Sequence, residues 1–182
     1  MVNQAPADEQ MICVKCGMCC DGTLFMHARL NKGERGNLPE KIEENSYAED
    51  EKEYFRLPCQ YFSGKCSIYD KKRAEVCGSY RCQLLKNFSV KKVTLEEAIE
   101  MVGDALRMRD EIMEHYRKIT GREGGLSFRQ LLAELGKSPE TDTDTMTSAR
   151  ELALLQIRCN ILEALLIKHI RSATDFENIV EA

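Results

Sequence analysis

The pattern of apolar positions divides the chain into two different halves. From about residue 91 onward, apolar residues recur every three or four positions, the spacing of one face of a helix. Thr94-x-x-Glu97 is a capping box in front of the first such run, which extends to Gly121. We therefore predict a long helix between these two signals.

Two more helices are predicted after this one. Ser127 begins a short helix, and Ser148 begins the longest helix of the chain. Leucines recur along one face of the longest helix, and Leu154, Ile161 and Leu165 widen that apolar face. We therefore expect other parts of the protein to cover this helix on two sides.

The first half of the chain shows no sustained helical period. It holds three of the four prolines and most of the cysteines. Residues 40–53 are strongly acidic and indicate an exposed linker or a frayed helix, whereas residues 54–57 and 60–62 are typical of short extended pieces.

The predicted fold class is mainly α. We expect an irregular, cysteine-rich, metal-bound N-terminal lobe at residues 1–90, packed on three to four C-terminal helices at residues 91–182. A chain of 182 residues can form these two parts as one continuous domain.

Composition and charge exclude some classes of partner. The net charge of -4 gives no argument for nucleic acid or for an anionic membrane surface. The first ten residues lack the basic and apolar regions of a secretory signal. The most apolar stretch, residues 152–170, is interrupted by Arg158, Glu163 and Lys168, so it predicts a core helix rather than a membrane span. We expect a cytoplasmic protein.

Cysteine is the most informative residue type in this chain. Eight of the nine cysteines fall within one segment of about 70 residues. They are Cys13, Cys16, Cys19, Cys20, Cys59, Cys66, Cys77 and Cys82. Such density indicates a disulfide framework, metal ligands or redox-active thiols, and the reducing cytoplasm disfavours disulfides. Metal ligation is therefore the favoured interpretation.

The first four cysteines have a spacing that points to iron. Cys13-x-x-Cys16-x-x-Cys19 is the run with which bacterial ferredoxins supply three ligands to a [4Fe–4S] cluster. Cys20 follows directly, and because adjacent side chains point apart, it faces a second metal or is a bystander. The two distal gaps, at Cys59 and at Cys77, are too wide for zinc ribbons. A zinc site with four thiolates remains open.

Other candidate residues receive a weaker interpretation. Arg73 and Arg81 lie near the distal cysteines, where they would either stabilise a negatively charged centre or belong to a solvated basic face. His27 is favoured as a hydrogen-bonded or surface histidine over a metal ligand. Cys159 lies within an apolar helix face, so we expect a buried hydrophobic residue.

The cysteine spacing resembles that of a known family. The motifs are Cys13-x-x-Cys16-x-x-Cys19-Cys20, Pro58-Cys59, Gly64-Lys65-Cys66-Ser67-Ile68-Tyr69 and Cys77-x-x-Tyr80-x-Cys82. They resemble the bacterial YkgJ-type cysteine-cluster family, described as a zinc- or iron-chelating domain, over residues 13–88. The resemblance implies metal chelation by all eight positions. The chain departs from the family at Ala74 and at Gly78, where proline and arginine are usual.

These observations lead to one main functional hypothesis and two alternatives. We expect a metal-binding protein with an iron–sulfur centre that serves electron transfer, metal handling or the support of protein modification, with a protein partner possible. A zinc-binding structural or interaction module without catalysis is the first alternative. A lysine-methylase-like enzyme is the second, since a related cysteine region accompanies flagellin lysine methylases. No catalytic residue and no cofactor other than the metal are identified.

Overall fold

The computed structural model describes residues 6–122, 125–136 and 146–171, and the side chains of residues 146–148 are not included. The described residues form seven helices and three strands. These are α1 (Ala7–Cys16), β1 (His27–Leu30), α2 (Glu40–Glu44), β2 (Ser46–Glu49), β3 (Lys52–Arg56), α3 (Val76–Ser79), α4 (Gln83–Ser89), α5 (Leu95–Thr120), α6 (Phe128–Leu135) and α7 (Met146–His169). The predicted class, mainly α, is confirmed for this part of the chain.

Helix α5 forms as its sequence signals predict. The Thr94 hydroxyl oxygen accepts a hydrogen bond from the Glu97 N–H, and the Glu97 carboxylate accepts one from the Thr94 N–H. The helix ends where Gly121 adopts the left-handed conformation, with a φ of 64°. The inward face of α5 packs against α1 and α7, so this helix is the central support of the fold.

The last two described helices also follow their patterns, with one difference. The capping box at Ser127 begins α6, and α7 begins two residues before the predicted start at Ser148. One face of α7 is fully buried; its residues there are Leu155, Cys159, Leu162 and Leu166. None of the helices in the described ranges is long and apolar enough to cross a membrane.

The predicted cover on the second side of α7 is not present among the described residues. Leu154 is 48% exposed, Ile161 is 49% exposed and Leu165 is 37% exposed. The prediction was wrong for this part of the chain because the apolar pattern gives the width of a face but not the number of partners that pack on it.

The first half of the chain is more regular than predicted. The acidic segment 40–53 is not a linker, because it contains α2, β2 and the first residues of β3. The three strands form an antiparallel sheet in the order β1-β3-β2. Ile42, Tyr54 and Phe55 are buried, and the acidic side chains between them leave the backbone free to pair. The charge was therefore a property of the outer face of this segment.

The extended pieces around Pro58 are confirmed only in part. The first becomes β3, while residues 60–62 contribute a single bridge between Phe62 and Cys66. The turn between these two residues contains Gly64 at a φ of 69°. This short loop brings two cysteines, Cys59 and Cys66, back toward the first cysteine motif.

The two C-terminal helices α5 and α6 hold the turn that follows α1. Arg109 of α5 forms an ion pair with Asp21, and the Asp21 carboxylate accepts a hydrogen bond of 2.8 Å from the Thr23 N–H. Arg129 of α6 donates a hydrogen bond of 3.0 Å from its Nε to the carbonyl oxygen of Leu24. The turn is therefore fixed by charged groups from two different helices.

A second ionic contact joins α6 to α7. The Glu163 carboxylate of α7 accepts a hydrogen bond of 2.9 Å from Arg129 and one of 2.5 Å from Arg171. The Arg171 side chain is only 8% exposed and that of Arg129 only 15%. Because two poorly hydrated guanidinium groups share this carboxylate, its charge matters more than that of a surface ion pair.

We predict that Glu163→Gln lowers the free energy of unfolding by about 2 kcal/mol, since it removes a negative charge that two cations share in a poorly hydrated site. The matched control is Glu114→Gln, which removes a carboxylate from an exposed pair with Lys118 and should have little effect. Urea unfolding followed by circular dichroism measures both. Equal effects from the two substitutions would contradict the prediction.

Candidate metal centre

The first cysteines lie at the end of a helix and in the turn that follows it. Cys13 and Cys16 are one turn apart in α1, so their side chains share one face. Gly17 ends α1 in the left-handed conformation, with a φ of 60°, and its N–H donates to the Cys13 carbonyl oxygen. The chain then reverses, since the Cys20 N–H donates to the Gly17 carbonyl oxygen at 2.8 Å.

Gly17 also allows a close approach by another segment. A Cβ atom at this position would lie 2.3 Å from Cζ of Phe62, which is far inside van der Waals contact. The Phe62 ring therefore rests directly on the backbone of the first cysteine motif. Because Phe62 also pairs with Cys66 through the backbone bridge, its ring ties the first motif to the distal cysteines.

The distal cysteines reach the same region from three separate segments. The Cys59 N–H donates a hydrogen bond of 2.7 Å to the Cys20 carbonyl oxygen. Cys66 follows in the same loop, Cys77 lies in α3, and Cys82 occupies the N-cap position of α4. The fold thus brings all eight cysteines of the predicted site together.

Two adjoining cavities contain these cysteines in their walls. The larger, of about 110 Å³, is lined by Cys13, Cys19, Cys20, Cys59, Cys66 and Cys77. The smaller, of about 40 Å³, is lined by Cys13, Cys16, Cys19, Cys20 and Cys82. The remaining walls are mostly apolar, so the thiols are the main candidate metal ligands that either cavity offers.

Low hydration keeps most of these thiols protonated. Burial raises the pKa of the thiols of Cys13, Cys16, Cys19, Cys20, Cys59, Cys77 and Cys82. For Cys77, burial and the negative charge of a neighbouring Cys59 thiolate raise the pKa to about 12. At neutral pH these seven thiols are therefore neutral, and each ionisation would oppose the next.

Two features act against the rise in thiol pKa that burial causes. The Arg73 guanidinium lowers the pKa of Cys13 and Cys77, although burial outweighs it. At Cys82, hydrogen bonds from the N–H groups of Leu85 and Leu84 also act to lower the thiol pKa, again against a larger effect of burial. These groups would stabilise negative charge on sulfur once a cation is present.

The structure gives different roles to Arg73 and Arg81, for each of which the sequence allowed two interpretations. Arg73 lines the larger cavity, with its guanidinium 4.4 Å from the centre of the Tyr69 ring. Arg81 instead forms an ion pair with Glu9 of α1, whose side chain is only 4% exposed. Arg73 is therefore the cation that faces the thiols, whereas Arg81 attaches the segment before α4 to α1.

The cysteines are chemically suited to bind a metal, but their side chains are not arranged around a common metal position. All nine cysteines are unbonded. Among the described residues, no group of three or more His, Cys, Asp or Glu side chains stands in an arrangement that would hold a metal ion. The donor set is nevertheless suited to zinc or to an iron–sulfur cluster, because thiolates are the soft ligands that both take. Metal binding would require the thiols to rotate toward a common point.

Two weaker sequence candidates lie outside this region. His27 lines neither cysteine cavity and instead contacts the rings of Tyr47 and Tyr54 in the sheet. Cys159 is fully buried between α5 and α7, and burial raises the pKa of its thiol to about 11. The prediction that Cys159 is a core residue is confirmed.

Several residues that support the site were not identified from the sequence. Phe62, Glu9, Asp21 and Arg109 all act through contacts between distant segments. Only Gly17 carried a local signal, because a glycine between cysteines allows a left-handed turn. Phe62, which contacts Gly17, lies 45 residues further along the chain, and neither the sequence around Gly17 nor that around Phe62 indicates this contact.

Comparison of the chain with family models, with curated proteins and with solved structures finds no match. The resemblance to the YkgJ-type family therefore rests on the cysteine spacing, and the arrangement of the eight thiols stands on the structure alone.

We predict that Gly17→Ala disrupts the cysteine region, because the new Cβ would overlap the Phe62 ring and the residue would have to keep a positive φ. The matched control is Gly33→Ala, which imposes the same backbone strain at a φ of 82° but meets no atom within 4 Å. Thermal unfolding should show a clearly larger loss for Gly17→Ala. A loss no greater than that of the control would contradict the contact.

We predict that the metal-free protein loses stability as the pH rises above about 9. The folded state raises the thiol pKa values from their ordinary 9.0, and to about 12 at Cys77. The stabilisation is therefore complete below pH 9 and is lost between pH 9 and 12, where the unfolded chain releases protons that the folded chain retains.

Urea unfolding of metal-free, oxygen-protected protein at pH 7.5, 9 and 10 measures this loss. Cys77→Ser is the matched variant, and it should reduce the dependence on pH because it removes one of the perturbed thiols. An identical dependence in both proteins would show that other groups, such as the tyrosines, are responsible.

Proposed function

We propose that this chain is a metal-binding protein whose cysteine cluster holds an iron–sulfur centre, of the [4Fe–4S] type, with zinc as the alternative metal. Cys13, Cys16 and Cys19 are the core ligands, and a distal cysteine is the fourth. The protein would serve electron transfer, metal handling or the support of a protein-modifying reaction.

The convergence of the thiols is the observation that carries this proposal. Eight cysteines from α1, the turn after it, the 59–66 loop, α3 and the start of α4 line two adjoining cavities. All of them are unbonded. Protein cores ordinarily fill such space with aliphatic side chains and only a few separate cysteines. A shared wall of sulfur atoms is explained more directly by ligation than by packing.

Three features support iron–sulfur chemistry. The first is the spacing of Cys13, Cys16 and Cys19, which matches the three-ligand run of bacterial ferredoxins. The second is the apolar surroundings, since limited access of water helps to retain such a cluster. The third is Arg73, which would offset the net negative charge of four thiolates and their metal.

Zinc remains the alternative because four thiolates also form structural zinc sites. Each site of that kind contributes on the order of 10–16 kcal/mol of apparent binding energy at neutral pH, which becomes folding energy. The protein would then use its cysteine region only as a structural or interaction surface.

We predict that protein purified without oxygen is brown, contains iron and acid-labile sulfide, and loses visible absorption when dithionite is added. A colourless protein with bound zinc would instead establish the alternative. Protein that contains neither metal, binds neither on reconstitution and stays folded would overturn the proposal.

Two variants make the test specific. Cys16→Ser removes a proposed ligand and should clearly reduce the metal content. Cys159→Ser removes a buried thiol that lies outside both cavities and should leave the metal content unchanged. Equal metal loss in both variants would indicate general destabilisation rather than ligation.

A further inference from the structure

The two cavities divide most of the thiols between them. Cys16 and Cys82 line the smaller cavity and not the larger one. Cys59, Cys66 and Cys77 line the larger cavity and not the smaller one. Five of the eight thiols are therefore assigned to one side or the other by position alone.

Three thiols lie in the wall that the cavities share, and a backbone contact assigns one of them. The Cys20 carbonyl oxygen is hydrogen-bonded to the Cys59 N–H at 2.7 Å, which attaches Cys20 to the larger side. Together with Cys59, Cys66 and Cys77, the larger side then has four thiols, as many as one tetrahedral thiolate site takes. Cys19, which also lines the smaller cavity, is therefore left to the smaller side.

Cys13 is the last thiol of the shared wall. It lies one helical turn from Cys16 on the same face of α1. Cys13 therefore completes a set of four on the smaller side and leaves four thiols on the other.

We infer that the protein holds two separate metal centres of four thiolates each. Cys13, Cys16, Cys19 and Cys82 form the inner centre, and Cys20, Cys59, Cys66 and Cys77 form the outer centre. The inference rests on the proposed function and adds the number of centres, the fourth ligand of the first and the complete ligand set of the second. The Cys19–Cys20 peptide bond joins the two.

The surroundings of the two centres differ. The inner cavity is lined by fully buried side chains, which are Ile12, Met18, Leu24, Leu84 and Ile170, in addition to Leu85. The outer cavity is bounded by Phe62, Tyr69 and Arg73, which are only partly buried. Both cavities nevertheless reach the surface, because Cys13, which lines both, is exposed.

Cobalt(II) titration of the reduced full-length protein under anaerobic conditions tests the inference. Cobalt(II) bound by four thiolates gives intense visible and near-ultraviolet bands, so each equivalent can be counted without an activity assay. The wild type should bind two equivalents per chain. Cys82→Ala and Cys77→Ala should each bind one, and the double variant should bind none.

Controls keep the outcomes distinct. Cys159→Ala should retain both equivalents, and Cys16→Ala and Cys59→Ala repeat the test for each centre if a first variant fails to fold. A single equivalent in the wild type, or loss of both equivalents from one substitution in each group, would establish one joint centre and overturn the inference. Wild-type protein that binds no cobalt, iron or zinc would overturn the proposed function itself.

Discussion

The crowding of eight thiols into one poorly hydrated region is the constraint on which this structure depends. As neutral thiols these side chains are compatible with an apolar core, but as thiolates they would repel one another, and burial gives them little water to offset that repulsion. A cation bound among them changes this balance, because it replaces the protons and converts mutual repulsion into attraction toward one point. Protonation and metal binding are thus two alternative ways of neutralising the same cluster.

The helices supply the rigidity that such a cluster needs. Helix α5 supports α1 and α7 at the same time, and its Arg109 holds the turn that carries Cys19 and Cys20 through Asp21. From the other side, Arg129 holds the end of that turn and is itself held by Glu163. None of these groups is a candidate ligand. Their contribution is to keep the chain reversal after α1 in place.

The sequence predicted the helical half of this fold well and the other half poorly. The capping boxes at Thr94 and Ser127 were decisive because both signals are local: four residues contain the donor and the acceptor. The sheet was not predicted because its pairing partners lie in different segments. In addition, the acidic side chains of residues 40–53 suggested a linker, although the backbone of β2 in this segment pairs with β3. The candidate ligands were predicted by spacing. Their convergence, the roles of Arg73 and Arg81 and the contact between Gly17 and Phe62 depend on tertiary structure and could not be predicted.

The adjacent pair Cys19-Cys20 connects the two groups of thiols through the backbone. One peptide bond joins the two residues, so a movement of this turn would move both thiols. Phe62 adds a second connection, because its ring rests on Gly17 while its backbone pairs with Cys66. The two groups of thiols are therefore held next to each other by two short connections. The double cysteine is best understood as the mechanical link of the cluster, and not only as an additional pair of sulfur atoms.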